Sequence, residues 1–281
     1  MQINANVVIG IDIGTTGAKC VIWSIEEKAI IAEASKTYPL LKPNPGWAEQ
    51  DPEELLEAFL YSLGTAVRES GVRPGQIVGI GISTAMHTLL AVDEQGQPLT
   101  RTITWADGRS VEQAEKLKRE LNGLAIYRRT GTPIHPMSPL TKLLWMKEEQ
   151  PELYRRAARF VSIKEYILYR LYGEWVVDYS IASATGLFNL NTMSWDEEVL
   201  RLLELPASKL STPVPVTHAL TGLREEYAER LGIDPMTRMV VGSSDGVLAN
   251  LGVGAVAAGD IAVTVGTSGA VRTTVDRPVL D

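Results

Sequence analysis

A chain of 281 residues, 45% hydrophobic and 22% charged, is long enough to bury a substantial core in one large or two medium domains. Its formal net charge of −7 argues against a broad surface for nucleic acid or anionic membrane, and no apolar run approaches the length that spans a bilayer. The start lacks a secretory leader pattern and the single cysteine, Cys20, cannot form an internal disulfide, so we expect a soluble protein of the reducing cytoplasm.

Three strands are predicted at the start of the chain, over residues 6–14, 17–24 and 28–36, and together they would form an antiparallel meander. A helix is predicted to begin at Asp51 and Pro52, a capping acid followed by a proline at the first helical position, and to run to about residue 70. Residues 76–83 follow as a buried strand in which apolar residues alternate with small ones.

The middle of the chain is predicted to combine helices with irregular loops. A strand over residues 88–93 precedes helices over 110–121, 140–149, 164–171 and 197–203, and prolines make 130–139 irregular. The last part contains a strand over 239–241, a helix to about 251 and a hairpin over 260–274. We place a domain boundary near Thr237, so that residues 1–236 form a first domain and 237–281 the beginning of a second, incomplete domain of a longer protein.

The strongest chemical signal is a turn that occurs twice. Gly-Thr-Thr-Gly at residues 14–17 joins the first two strands, and Gly-Thr-Ser-Gly at 266–269 joins the last two. Glycines leave backbone N–H groups accessible and the hydroxyls add donors beside them, so such a turn can hold phosphate oxygens. One copy alone would more often be an ordinary hairpin tip, but the two copies together favour two phosphate sites.

Two acidic residues interrupt apolar or small-residue segments. Asp12 lies inside an apolar strand, where a charge is costly unless it is paired. Its carboxylate could contact Mg²⁺ through water, or it could accept hydrogen bonds from the N–H groups of the turn. Asp245 follows a strand and opens a helix, so it could take a proton from a substrate hydroxyl during phosphoryl transfer or simply cap the helix.

Two further motifs leave alternatives open. Trp105, Asp107 and Arg109 combine an aromatic face, an acid and a base in one loop; this suits a sugar, but Asp107 and Arg109 could equally form a surface ion pair. Ser244 in Gly-x-Ser-x-Gly matches a hydrolase nucleophile, although every histidine precedes it in the chain, against the order of that class. The motifs of P-loop and dinucleotide-binding proteins do not occur in the sequence.

With these motifs in place, the chain resembles the FGGY family of carbohydrate kinases, and within it the members that act on gluconate. The residues that carry the resemblance are 12–19, 83–87, 105–109, 131–138, 242–246 and 266–269. The resemblance implies an α/β, actin-like (ribonuclease-H-like) fold, a mixed sheet with helices, and a second domain that is truncated. ATP and sugar would bind between the two domains, and the adenosine site would lie beyond residue 281.

The resemblance also assigns roles. Asp245 matches the catalytic base, and Asp12 with Asp245 would hold Mg²⁺. The positions that approach the phosphate groups of ATP are Gly14, Thr15, Thr16, Gly17, Lys19, Gly266, Thr267 and Ser268. The substrate positions are Met86, His87, Trp105 and Met137, joined by Asp107, Arg109 and Asp245. Arg109 is the candidate partner for a substrate carboxylate.

The function implied by the resemblance is the ATP-dependent phosphorylation of a sugar acid, D-gluconate, to 6-phosphogluconate, by an enzyme that could form a homodimer. Xylulose or another polyol is the alternative substrate, because the pair Met86-His87 also occurs in relatives that act on xylulose. A sugar-binding fragment without catalysis is the alternative from another class, and we expect this chain alone to be inactive.

Overall fold

A computed structural model describes residues 6–265 and 269–280. Its strands are β1 (Val7–Ile13), β2 (Gly17–Ser24), β3 (Ala29–Thr37), β4 (Glu49–Gln50), β5 (Ile77–Thr84), β6 (Leu90–Val92), β7 (Thr102–Ile103), β8 (Arg159–Val161), β9 (Val176–Asp178), β10 (Phe188–Asn189), β11 (Ser194–Trp195), β12 (Thr212–Val214), β13 (Ala219–Leu220), β14 (Met239–Ser244), β15 (Ile261–Val265) and β16 (Gly269–Thr273). Its helices are α1 (Pro52–Ser70), α2 (Val111–Arg119), α3 (Gly123–Thr130), α4 (Pro139–Glu149), α5 (Pro151–Arg156), α6 (Ile163–Tyr172), α7 (Tyr179–Ser183), α8 (Glu197–Leu203), α9 (Glu225–Leu231) and α10 (Asp245–Gly252).

The centre of the described chain is a mixed sheet with the strand order β13-β14-β5-β1-β2-β3. The predicted meander is confirmed, because β1, β2 and β3 pair antiparallel in that order. Strand β5 pairs in parallel with both β1 and β14. The predicted mixed sheet with helices is therefore confirmed.

Helix α1 packs on one face of this sheet, against β2 and β3. Asp51 Oδ1 accepts the backbone N–H of Glu53 at 2.9 Å, which confirms the predicted start, and Gly71 ends the helix at a φ of 67°. Leu55 and Phe59 of α1 are buried in the core that forms between the sheet and helices α1, α6 and α9. This packing fixes which face of the sheet is closed.

The opposite face of the sheet carries polar and small residues together with apolar ones such as Val8 and Val21. In β1 the isoleucines point into the core, and the alternation of strand side chains places Gly10 and Asp12 on the other face. Lys19 and Ser83 from the neighbouring strands share this face, where a cleft of about 670 Å³ opens. The polar residues predicted to act on phosphate therefore lie away from the core.

Some expectations differ from the structure. Helices α3 and α9 are not predicted from the sequence, and β14 runs three residues further than predicted. Strand β14 lies in the same sheet as β1, so the sheet continues across the boundary placed near Thr237, and that boundary stays a prediction.

Cys20 is buried, and burial raises the pKa of its thiol to about 12, as suits a core residue. None of the helices in the described part of the chain could span a membrane.

Candidate active site

The tip of the β1–β2 hairpin is held from two sides. The backbone N–H of Gly14 donates to the carbonyl of Gly17 at 3.1 Å and closes the turn. The carbonyl of Thr15 accepts from Gln50 Nε2 at 2.7 Å, and its hydroxyl accepts from Trp105 Nε1 at 2.9 Å. The turn predicted to bind phosphate is thereby fixed to the loop predicted to bind sugar.

The same tip offers unused donors. Among residues 6–265 and 269–280, no backbone group accepts from the amides of Thr15 and Thr16. Gly17 cannot carry a side chain, because a Cβ there would lie 2.8 Å from the carbonyl oxygen of Lys36. Lys19 is mostly exposed, and its Nζ lies 3.3 Å from a carboxylate oxygen of Glu33. Accessible amides and a nearby ammonium suit an anionic ligand.

The second turn can be followed only in part. Strands β15 and β16 form the predicted antiparallel hairpin. Its tip residues Gly266, Thr267 and Ser268 lie outside the described residues, so their phosphate contact stays a prediction.

Asp12 is satisfied by a neighbouring strand and not by its own turn. Its Oδ1 accepts from the hydroxyl of Ser83 at 2.6 Å, across the parallel pairing of β1 with β5. No described residue donates to its Oδ2. The carboxylate therefore keeps one oxygen for a ligand.

Asp245 opens α10 directly after β14, where Ser244 takes the capping position. Its Oδ1 accepts the backbone N–H of Gly246 at 2.7 Å. Partial desolvation raises the pKa of the Asp245 carboxyl, the charge of Asp12 raises it further, and the charge of Arg272 opposes this. The two predicted acids thus lie near enough to influence each other.

Ser244 is fully buried and its Oγ accepts from Ser180 Oγ at 3.0 Å, which argues against a hydrolase nucleophile.

The two carboxylates fit a magnesium ion. Each keeps an oxygen without a protein donor among the described residues, and Mg²⁺ is usually held by one or two carboxylates, waters and substrate phosphates. No cluster of three or more acidic, histidine or cysteine ligands occurs in the described part of the chain, so a cage made of protein ligands alone is not formed there.

A buried lysine that the sequence analysis missed supports Asp245. Lys164 Nζ donates to Asp178 Oδ2 at 2.7 Å and to the carbonyls of Val241 and Ser243 at 3.0 and 2.9 Å. Burial lowers the pKa of Lys164, and Asp178 opposes this. The lysine fixes the end of β14 from which Asp245 projects. Lys164 lies beside Glu165 in a helix that also contains Arg170, so the local sequence gives no signal that this lysine is buried.

His87 presents a hydrogen-bond acceptor. Its Nδ1 lies 2.9 Å from the carbonyl of Ala184, which can only accept, so the proton is assigned to Nδ1. Burial, helped by the charge of Lys142, lowers the pKa of His87 to about 4. The ring is neutral near pH 7, and its Nε2 can accept from a hydroxyl group.

A second buried lysine joins the two predicted sugar loops. Lys142 is fully buried, and its Nζ donates to the carbonyls of His87 at 2.6 Å and Thr104 at 2.8 Å. Trp105 follows directly and is 46% exposed. Lys142 therefore fixes the backbone beside both His87 and Trp105.

Met137 is partly buried in the next loop, where its N–H donates to His135 Nδ1 at 3.2 Å.

The expected contact of Asp107 and Arg109 with substrate is corrected by the structure. Asp107 is buried and accepts from Arg109 Nε at 2.8 Å and from the N–H of Ala48 at 2.6 Å. The Arg109 guanidinium also donates to Glu49 at 2.6 Å and stacks 3.6 Å from the ring centre of Trp47. The alternative ion pair is present, but inside the protein, where it shapes the loop and leaves no surface for a carboxylate.

Arg272 is a cation at the site that the sequence analysis did not single out. It is partly buried on β16, and its Nη1 donates to Thr264 Oγ1 at 3.0 Å. A Cβ placed on Gly246 would lie 3.1 Å from Arg272 Nε and 3.5 Å from Met86 Cε. The hairpin thereby brings a guanidinium beside Met86 and Asp245.

The chain is similar to known carbohydrate kinases in sequence and in fold. Residues 7–252 match the N-terminal domain of the FGGY family of carbohydrate kinases. The chain is 47% identical over 273 residues to a gluconokinase of Bacillus subtilis (strain 168), a match that covers 97% of this chain and 53% of that protein.

Two solved structures from Lactobacillus acidophilus are similar to nearly the whole chain. A gluconate kinase gives a TM-score of 0.95 at 37% identity, covering 99% of this chain and 56% of that one. A ligand-bound xylulose kinase gives a TM-score of 0.94 at 38% identity, and the match covers 98% of this chain and 56% of that one. The chain thus spans about half the length of the relatives it matches.

Proposed function

Because the chain belongs to the FGGY family of carbohydrate kinases, we propose that it carries the sugar site, the catalytic base and one phosphate-binding turn of an enzyme that phosphorylates D-gluconate with ATP. The observation that carries the proposal is the register of the parallel strands, in which Asp12 pairs with Ser83, and Ser244, the residue before Asp245, pairs with the adjacent Thr84. The 47% identity to a gluconokinase supports gluconate as the substrate.

In this proposal Asp245 accepts the proton of the terminal substrate hydroxyl while the hydroxyl oxygen bonds to the γ-phosphorus of ATP, and ADP leaves as the bond between the γ-phosphorus and its bridging oxygen breaks. Partial burial raises the pKa of Asp245, which makes its carboxylate a stronger base. The amides of Thr15 and Thr16, with Lys19, bind phosphate oxygens. Asp12 and Asp245 would hold Mg²⁺, which would neutralise part of the charge on the phosphate groups.

The sugar would lie between Trp105 and His87. The exposed indole face of Trp105 suits the C–H groups of an open-chain sugar acid, and Nε2 of His87 accepts from one hydroxyl. Lys142 holds both loops at once, so the two contacts keep a fixed spacing.

Xylulose is a second candidate substrate, because the xylulose kinase resembles the chain as closely as the gluconate kinase does. A coupled ADP-release assay of protein from the complete reading frame, with ATP and Mg²⁺, distinguishes them in a panel of gluconate, xylulose, glycerol and ribulose. Turnover that depends on gluconate supports the proposal. Turnover with xylulose alone would mean that xylulose, and not gluconate, is the substrate. Sugar binding without any turnover would indicate a binding module.

A further inference from the structure

A sugar acid carries a carboxylate, and a site that selects it needs a cation that is not already paired. Arg109 is enclosed by Asp107 and Glu49. The ammonium of Lys142 is fully buried and bonded to backbone carbonyls, and that of Lys19 lies beside Glu33. Arg109 and Lys142 are therefore engaged inside the protein, and Lys19 is already assigned to the phosphate groups.

Arg272 differs from them in its surroundings. Within residues 6–265 and 269–280 it forms no ion pair, and its hydrogen bond to Thr264 uses only Nη1. The other edge of the guanidinium, formed by Nε and Nη2, keeps two parallel N–H donors. This edge has the geometry that binds both oxygens of one carboxylate.

The position of this edge is set by a glycine. Arg272 Nε and Cζ lie 3.1 and 3.6 Å from the point where Gly246 would carry a Cβ, and Met86 Cε lies 3.5 Å from the same point. Any larger residue at 246 would push the guanidinium or Met86 away. Ala270, which shares the face of β16 with Arg272, is also small. Small residues thus leave room beside the predicted substrate residue Met86.

We propose that Arg272 binds the carboxylate of the sugar-acid substrate and thereby selects it over uncharged polyols of the same length. The inference rests on the proposed function, since it presupposes a sugar acid in this site. A phosphate oxygen of the nucleotide is the other anion that a guanidinium could bind. The guanidinium and Met86 lie next to the same glycine, Gly246, and this position beside a predicted substrate residue favours the substrate.

Isothermal titration calorimetry of the full chain with D-gluconate and with D-glucitol tests the proposal, because glucitol replaces the carboxylate by a neutral hydroxymethyl group. In Arg272→Met we expect the dissociation constant for gluconate to rise about tenfold or more, because a charge-assisted pair of hydrogen bonds is lost. The dissociation constant for glucitol should stay within about twofold of the wild-type value. Arg272→Lys should retain part of the preference. Arg277→Met removes an exposed arginine of the same segment and should match the wild type.

The outcomes separate the inference from the function it rests on. If the wild type prefers gluconate and Arg272→Met keeps that preference, Arg272 is not the carboxylate partner, while the kinase proposal stands. If Arg272→Met loses affinity for Mg-ATP but not the preference for gluconate, the guanidinium binds phosphate and the inference is wrong. A wild type that does not distinguish gluconate from glucitol contradicts the sugar-acid substrate itself.

Discussion

Two buried lysines hold the candidate site by its backbone. Lys142 donates to the carbonyls beside the sugar loops, and Lys164 donates to the carbonyls that precede Asp245. A buried ammonium is costly, but leaving its acceptors unsatisfied would also cost about 1–3 kcal/mol for each group. Each lysine thereby fixes the backbone, and with it the direction of the neighbouring side chains, while the lysine itself does not contact the ligand.

Lys142 is predicted to make stability depend on pH. Burial lowers its pKa from 10.5 to about 7, so below pH 7 the ammonium is charged in both states and its full burial cost is present. Between about pH 7 and 10 the folded amine loses its proton while the unfolded one keeps it, so stability from this group rises with pH.

Urea unfolding of the wild type and Lys142→Met at pH 7 and 9.5 measures this effect. The stability of the wild type relative to the variant should increase by about 2–3 kcal/mol over that interval. Lys147→Met, on the same helix but less buried, serves as the control. A difference between wild type and Lys142→Met that stays constant with pH would show that the amine is not held in a state of lowered pKa.

Individual site residues could be found from the sequence only where they break a local pattern. Asp12 stands out in an apolar strand, and Asp245 between a strand and a helix. Lys142 and Arg272 give no such signal, because the groups they approach come from distant segments. The pair of Asp107 and Arg109 could be anticipated because the two residues are close in the chain, but its burial could not, since the second partner, Glu49, lies 60 residues from Arg109.

At the scale of elements, the bulge in β14 determines where Asp245 lies. The register between β14 and β5 shifts between Val240 and Ser243, around Gly242 at a φ of 66°. A Cβ on Gly242 would lie 1.9 Å from the carbonyl oxygen of Ile82. The strand can make this bend only with glycine, and the bend exposes the carbonyls that Lys164 binds.

Gly242→Ala is therefore predicted to be strongly destabilising, by more than about 3 kcal/mol, because it combines a left-handed backbone with a backbone clash. Gly81→Ala in the neighbouring strand is the matched control, since a Cβ there meets nothing within 4 Å, and its effect should stay within about 0.5 kcal/mol. Thermal and urea unfolding of both variants measure the contrast. Equal effects would mean that the bulge is not constrained.

The elements with strong periodicity could be predicted, and short polar ones could not. The alternation in β1 and β5 and the cap of α1 identify those elements directly. Helix α9 has seven residues, of which Tyr227, Ala228 and Leu231 are buried, and an isolated helix of that length is not stable. Its formation depends on packing against α1, which a local pattern does not contain.

For the whole molecule, the last segment differs from the rest in its packing. Val263 and Val271 face each other across the β15–β16 hairpin and are 64% and 73% exposed. The β2–β3 hairpin, by contrast, is covered by α1. In hydrogen exchange, the amides of β15 and β16 should exchange at least about a hundredfold faster than those of β1 and β2, because local opening there exposes little buried surface. Similar protection of the two hairpins would contradict this picture.

The proposed role of Asp245 as the base of a gluconate kinase can be tested by activity and binding measured on the same variant. Gluconate-dependent ADP release should be compared for wild type and Asp245→Asn, both expressed from the complete reading frame, together with gluconate affinity by calorimetry. We expect turnover to fall by roughly 10²–10⁴-fold while affinity stays within a few-fold, because the amide cannot take the proton. Turnover retained in Asp245→Asn would contradict the account.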